Sequence, residues 1–233
     1  MLTMKNYRSS IPKSARERLL ATHLSGPRKF KVECRLSGKV IGIRYYDVSG
    51  DLESESPFRN GKLHGRVYFF ESGNVSFCEP FSDGLPQGTA RQWSEDGQLI
   101  GTYTMKHGTG LDLWRAKDDW GTGSVYLSEA RYIERGQWHG FEWWLNEDQK
   151  RVNSERHFWR DQLHGIERSW NSASRLRRGY PKYWVKGHRV TKQQYISACS
   201  KDPTLPAFRL KDNKPKRDFP PEVKKHCAQK SGG

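Results

Sequence analysis

The chain has 233 residues, enough for one or two domains, of which 34% are hydrophobic, 29% charged and 12% aromatic. So low an apolar share excludes a thick core and points to a thin sheet held by large flat side chains. The net charge of +15 sits mainly at the ends: residues 1–33 carry eight Lys or Arg against two Glu, and residues 201–233 carry nine against four Asp or Glu.

Basic ends suit an acidic partner, anionic lipid or nucleic acid; the plain alternative is a solvated surface. The opening MLTMKNYRSSIPKSARERLL has no apolar signal core, and no stretch reaches the roughly 18 apolar residues of a membrane span. Cys34, Cys78, Cys199 and Cys227 are dispersed, with no C-x-x-C pair, which argues against a zinc or redox site. The expectation is a cytoplasmic protein with reduced thiols and no cofactor.

Residues 1–30 read as a helical lead-in. Ser14-Ala15-Arg16-Glu17 has the form of a capping box, Leu19, Leu20 and Leu24 form an apolar stripe, and Gly26-Pro27 stops the element. From 31 to 186 a glycine-framed unit recurs: Gly38…Gly42, Gly61…Gly65, Gly84…Gly88, Gly136…Gly140 and a degenerate Asp161…Gly165. Repeats at such a period announce a repeat architecture. Single glycines at Gly50, Gly73 and Gly97 fall between the units, leaving room for one strand and one turn per interval. Alternation supports the strands: Val75, Phe77 and Phe81 share one parity, as do Gly101, Tyr103 and Met105. Aromatic residues follow the framed glycines, at Tyr45, Tyr68, Trp93, Trp143 and Trp170, and Trp114 fits a copy stretched by the insertion Asp118–Ser124. At equivalent places on successive hairpins such rings form a ladder.

These units resemble the MORN repeat, and in particular the bacterial variant with a core of N-G-x-x-x-G-x-x-x-x-aromatic-x-x-x-G-x-L. Asn60-Gly61…Gly65…Tyr68…Gly73-Asn74-Val75 and Gly84…Gly88…Trp93…Gly97-Gln98-Leu99 carry the likeness. Gly136…Gly140…Trp143 keeps only the front half, with Asp148-Gln149-Lys150 in place of the later glycine, and Asp161…Gly165…Trp170 lacks the first glycine. The resemblance covers about 150 residues and implies a mainly β fold, an elongated single-layer antiparallel sheet of consecutive hairpins. Many bacterial members are labelled as antitoxins or immunity proteins, so it also implies neutralisation or regulation of a toxin or effector.

Gly187-His188-Arg189 starts a last, aborted unit, and Thr191 and Gln194 frame a second capping box, with Tyr195, Ile196 and Cys199 facing inward. Residues 187–208 thus read as a helical cap on an open sheet edge. Residues 209–233 are rich in Lys, Arg and Pro and read as a disordered basic tail, ending in a Ser231-Gly232-Gly233 of either native or foreign origin.

No nucleophile elbow, phosphate loop or metalloprotease motif appears, and Asp118-Asp119, Asp83, Glu129 and Glu134 give no helix-face carboxylate pair. His64, His139 and His164 share the fourth slot of the framed unit, which favours a structural role: bonding a turn carbonyl or covering an aromatic ring. A two-histidine metal site at His139 and His164 is the sharper alternative. Trp138, Phe141, Trp143, Trp144 and Trp170 are the candidate anchors for another protein, with one ring of the Trp143-Trp144 doublet in the core and the other exposed or covered by a terminus. The leading expectation is therefore a non-enzymatic binder of another protein, such as a toxin, effector or nuclease encoded nearby. The alternative is nucleic-acid or ribonucleoprotein binding through Arg175, Arg177, Arg178, Tyr180, Lys214, Lys216 and Arg217. An anionic membrane surface ranks lower, and an enzyme with a site in the irregular 108–135 stretch ranks last.

Overall fold

The first glycine of a framed unit closes a two-residue hairpin turn. In the computed structural model, which describes residues 6–24, 26, 28–117 and 123–227, both central residues of these turns have positive φ. Asn60 and Gly61 lie at 51° and 75°, Asp83 and Gly84 at 50° and 91°, Arg135 and Gly136 at 52° and 78°. That is the turn whose twist matches the flanking strands, and it favours Asn-Gly or Asp-Gly. The degenerate copy keeps the geometry without glycine, with Arg160 at 50° and Asp161 at 65°.

The chain divides into two compact units, Met1–Gly108 and Thr109–Gly233, so the repeats are shared between two sheets. The first unit holds β1 (Arg16–Thr22), β2 (Lys29–Leu36), β3 (Lys39–Tyr46), β4 (Leu52–Arg59), β5 (Lys62–Leu63), β6 (Gly65–Glu71), β7 (Asn74–Ser82), β8 (Leu85–Pro86), β9 (Gly88–Trp93) and β10 (Leu99–Met105). They pair antiparallel in the order β1-β2-β3-β4-β6-β7-β9-β10, with β5 on β4 and β8 on β7. The second holds β11 (Gly110–Lys117), β12 (Val125–Glu134), β13 (Gln137–Leu145), β14 (Val152–Trp159), β15 (Gln162–Leu163), β16 (Gly165–Ser169), β17 (Lys182–Val185) and β18 (His188–Val190), followed by α1 (Lys192–Cys199) and α2 (Pro221–Cys227). Its order is β11-β12-β13-β14-β16-β17-β18, with β15 on β14. The protein is thus mainly β and built of consecutive antiparallel hairpins, as the spacing predicts, in two sheets. Of the expected insertion at Asp118–Ser124, which joins β11 to β12, residues 118–122 lie outside the described part, and so does the Asp118-Asp119 pair.

Successive turns are bonded to one another, which explains why the unit repeats. The N–H of the second turn residue donates to the carbonyl of the third slot in the preceding unit: Gly84 to Leu63 at 2.8 Å, Gly108 to Pro86 at 2.8 Å, Asp161 to Trp138 at 3.0 Å and Gly187 to Leu163 at 2.8 Å. The fourth-slot side chain accepts the N–H of the first turn residue of the next hairpin. His64 Nδ1 takes that of Asp83 at 3.3 Å, Gln87 Oε1 that of His107 at 2.6 Å, and His164 Nδ1 that of Lys186 at 3.0 Å. These rings bond a turn N–H rather than a turn carbonyl. His139 instead covers an aromatic ring, with its centroid 4.3 Å from that of Trp159.

Each sheet is crossed on one face by a chain terminus that is pinned to a buried glutamate. In the first unit Glu55, fully buried on β4, accepts from Tyr7 Oη at 2.7 Å, Ser9 Oγ at 2.7 Å and Arg44 Nε at 2.9 Å. Tyr7 sets its ring edge-on to Tyr68 and Phe70, and Ile11 is buried over Gly42, where a Cβ would stand 2.3 Å from Ile11 Cδ1. In the second unit Glu155 on β14 has the same place and is gripped by the C-terminal segment. Leu52-x-Ser54-Glu55-x-x-Phe58 and Val152-x-Ser154-Glu155-x-x-Phe158 are the matching sequences.

Two expectations for the ends are corrected. Residues 16–22 form strand β1 on the edge of β2, not a helix. A short isolated helix is marginal in water, whereas an open sheet edge offers a ladder of backbone partners. Glu17 is held by Lys29 Nζ at 2.8 Å, Arg44 Nη1 at 3.0 Å and Tyr46 Oη at 2.8 Å. Residues 209–227 are ordered on the second sheet: Leu210–Asn213 make a 3-10 turn, Phe219 and Val223 are buried, and the N–H of Val152 donates to Pro215 O at 3.1 Å. Two apolar anchors and a countercharge for Glu155 outweigh the polar composition. Ser231-Gly233 lie outside the described residues.

The C-terminal cap is as expected in outline. β17 and β18 complete a last hairpin, and α1 starts at the Thr191–Gln194 capping box. Tyr195 is buried and donates to Pro206 O at 2.6 Å. Cys199 is half-buried, but Ile196 faces outward.

Candidate functional site

The C-terminal segment does not close fully over the second sheet. Between them runs a groove of about 800 Å³, floored by β13, β14 and β16 and walled by residues 206–224. Phe141 and Trp143 share this face of β13, their rings parallel with centroids 5.2 Å apart, and Phe219 stands edge-on to Trp143 at 5.6 Å. Lys214, Lys216 and Arg217 lie on the facing wall. Two candidate anchors of the protein reading and three cations of the nucleic-acid reading therefore converge on one place. The period-two alternation of β13 explains the rest: Trp138 and Trp144 point to the opposite face.

At the base of the groove Glu155 is almost wholly buried and receives four N–H donors. They are Trp143 Nε1 at 3.2 Å, Arg168 Nη1 at 2.6 Å, and Arg217 Nε and Nη2, each at 2.7 Å. Arg217 also lies over Trp170 at 4.9 Å, and Trp170 is buried, its indole N–H donating to Asn213 O at 2.8 Å. Two candidates thus change role. Trp170 is core because the C-terminal turn covers it, and Arg217 is consumed by an internal ion pair rather than left for phosphates. Trp143, 8% exposed, is the floor of the groove and not a projecting anchor. Neither arginine partner of Glu155 is marked locally in the sequence, where the recurrence of Ser-Glu one hundred positions apart is the available signal.

On the opposite face Trp138 lies half-buried beneath Arg131 at 5.2 Å, and Trp144 beneath Arg156 at 4.5 Å. Arg131 pairs with Asp112 at 2.7 Å and Arg156 with Glu142 at 2.8 Å. Burial, helped by the nearby Glu142 and Asp112 carboxylates and opposed by Arg131, pushes the Glu129 carboxyl up to about 7. A smaller hollow of about 250 Å³ on this side is lined by Trp144, Arg156, Glu167 and Tyr180. Tyr180 receives Lys182 Nζ on its hydroxyl at 3.2 Å and donates to Glu167 Oε1 at 3.4 Å. Arg175, Arg177 and Arg178 are exposed on the loop after β16 and do not line the groove; Arg177 Nε donates to Trp170 O at 3.0 Å.

His157 faces the groove floor from β14, its ring edge-on to Phe141 at 4.7 Å and its Nδ1–H donating to His164 O at 2.5 Å. Burial lowers its pKa to about 4, and burial lowers that of His164 as well. With Nδ1 accepting from Lys186, neutral His164 carries its proton on Nε2 and donates to Thr204 Oγ1 at 2.9 Å. Both nitrogens are thereby committed to protein groups. Among the described residues no group of three or more His, Cys, Asp or Glu is placed to hold a metal ion. The four cysteines are free thiols, Cys34 and Cys78 buried, and no described helix is long and apolar enough to cross a membrane. No protein-family model matches the chain, and no curated protein matches it.

Proposed function

We propose that this chain is a non-enzymatic, MORN-like binding module that seats a segment of another protein in the groove of its second unit. The carrying observation is the apolar floor of Phe141, Trp143 and Phe219 beneath an open, walled channel. Hairpins locked turn to turn supply a rigid frame, which lowers the ordering cost of binding. Occlusion of a toxin or effector is the finer role the repeat resemblance suggests, and the buried free thiols suit a reducing cytoplasm.

Single-stranded nucleic acid is the second reading, favoured by the lysines beside aromatic rings. It ranks lower because bases stack on open ring planes, whereas Trp143 and Trp170 are covered.

Panning a displayed peptide library on the intact protein tests the proposal, with Ala207→Trp as the groove-filling control. The expected result is peptides that bind the native chain and lose at least tenfold in affinity for the control. Equal binding to both proteins, or no enrichment at all, overturns it.

A further inference from the structure

The two units offer an internal comparison. Glu55 and Glu155 are equivalent buried carboxylates, yet their donor sets differ in charge. Glu55 is met by one arginine, Arg44, and by two neutral hydroxyls, those of Tyr7 and Ser9. Arg44 divides itself between Glu55 and Glu17, so this cluster carries no surplus cation. Glu155 is met by two arginines, 3% and 11% exposed at their side chains, and among the described residues no second carboxylate pairs with either. Arg168 stands where the first unit has Tyr68. One positive charge is therefore left over at the base of the groove, in a place where an uncompensated charge is expensive.

The walls add to it. Eight Lys or Arg side chains line the groove against three carboxylates, an excess of five. Arg209 pairs with Asp212 and Lys224 with Asp218, but Lys150, Lys211, Lys214 and Lys216 make no ion pair among the described residues. Arg168, which lines the groove, keeps one buried N–H group, Nη2, without a hydrogen-bond partner among the described residues, so its guanidinium is not fully satisfied within the chain. Framework stability needs none of this surplus, since the first unit holds its own glutamate with one arginine and two neutral hydroxyls.

We infer that the groove's occupant is an acidic polypeptide segment, an apolar or aromatic side chain on the Phe141–Trp143–Phe219 floor with flanking Asp or Glu carboxylates on Lys150, Lys214, Lys216 and the Arg168 end. This rests on the reading that the groove is a protein-binding site and names the chemistry of what enters it. A polypeptide fits better than a polyphosphate because the floor is apolar: half-buried Phe141 can be met by a side chain, whereas Trp143 and Phe219 are too buried for a base to stack on. Charge complementarity of this kind sets selectivity and association rate.

Fluorescence anisotropy with defined probes separates the outcomes. The probes are a labelled acidic peptide, DEDFDELD, its amide counterpart, NQNFNQLN, and a labelled oligo-dT. The acidic peptide is expected to bind at least tenfold more tightly than the amide peptide. The exposed triple variant Lys150→Glu, Lys214→Glu, Lys216→Glu should lose that preference while retaining the native circular dichroism. Equal binding of both peptides, abolished by Ala207→Trp, keeps the protein-binding groove and overturns its acidic specificity. Oligo-dT binding more tightly than either peptide, and lost in the triple variant, overturns both. No binding of any probe overturns the acidic occupant, and the library panning then decides the groove on its own.

Discussion

Arg217 lies 62 residues beyond Glu155 and grips its carboxylate side-on with one edge of its guanidinium, Nε on Oε2 and Nη2 on Oε1, each at 2.7 Å. This bidentate pair fastens the C-terminal segment to the second sheet and so builds one wall of the groove. Removing one partner of such a buried pair leaves the other uncompensated, at a cost of about 3–5 kcal/mol. Glu155→Ala should therefore lower the urea midpoint sharply. Arg217→Ala should cost less than Glu155→Ala, because Arg168 still neutralises the glutamate. Since the side chains touch, the double variant should be milder than the sum of the singles by about 1 kcal/mol or more. Additive losses would show that the pair does not hold the segment.

The histidines set a pH dependence. Burial holds His157 at about 4, and His164 is also lowered, from an ordinary value of 6.5. A group lowered on folding takes up its proton more readily in the unfolded chain, so stability rises with pH wherever the unfolded chain alone is protonated. The histidine contribution is then greatest above about pH 6.5 and falls as the pH drops from there toward 4, while Glu129, raised to about 7, contributes in the opposite sense over the same range. Urea midpoints of Glu129→Gln at pH 7.5, 6.0, 5.0 and 4.5 should trace the histidine decline alone. Adding His157→Phe should reduce it, leaving the part due to His164. A Glu129→Gln midpoint constant across this range would refute the assignment.

Asp161 tests the turn logic. It occupies the left-handed place of the repeat glycine at φ 65°, yet its Oδ1 accepts the N–H of Trp138 at 2.8 Å while its own N–H donates to Trp138 O at 3.0 Å. Asp161→Gly gives up one hydrogen bond and relieves the left-handed strain, each worth about 1 kcal/mol, so it should be close to neutral. Asp161→Ala keeps the strain and loses the bond, so it should be the more damaging by about 1 kcal/mol. The order of the two midpoints decides the matter.

The second glycine of a unit makes a different demand from the first. A Cβ on Gly65 would stand 2.8 Å from Ser10 Cβ and Oγ, whereas one on Gly61 would meet nothing within 4 Å. Gly61→Ala should cost only the backbone strain of its φ of 75°, about 1 kcal/mol. Gly65→Ala should in addition lift the N-terminal segment, which bonds there through Ser10 Oγ and the N–H of Arg66 at 3.0 Å. Limited proteolysis should cut residues 7–15 faster in Gly65→Ala than in Gly61→Ala; equal rates would contradict the contact.

Trp143→Ala shows why charge variants suit binding tests better than aromatic ones. With its ring buried between Phe141 and Phe219 and its N–H on Glu155, its loss should cost about 3–5 kcal/mol in stability. Thermal melts of this variant should fall well below those of the triple lysine variant, whose side chains are exposed.

Much of the architecture was legible locally. Gly61, Gly84 and Gly136 mark turns because a two-residue hairpin requires positive φ, and that requirement is written one residue at a time. The strand alternation and the Thr191–Gln194 cap are equally local. The ends differ for the same reason: a capping-box form and a leucine stripe point to a helix within residues 1–30, and composition to a disordered tail over 209–233, while the open edge of β2 and the buried Glu155 lie far away in sequence. The fourth-slot histidines read as structural, but the turn N–H groups that His64 and His164 accept, and the Trp159 ring that His139 covers, emerge only when hairpins stack.

The sequence by itself determined that this chain is a series of hairpins with basic ends, since backbone sterics and side-chain period act over a few residues. Only the tertiary structure decided that the repeats fall into two sheets and that each terminus returns to a glutamate. It alone brought Phe141, Trp143, Lys214 and Lys216 around one groove. Those relationships depend on charge compensation and burial between residues dozens of positions apart, and no local pattern records which distant partner will supply them.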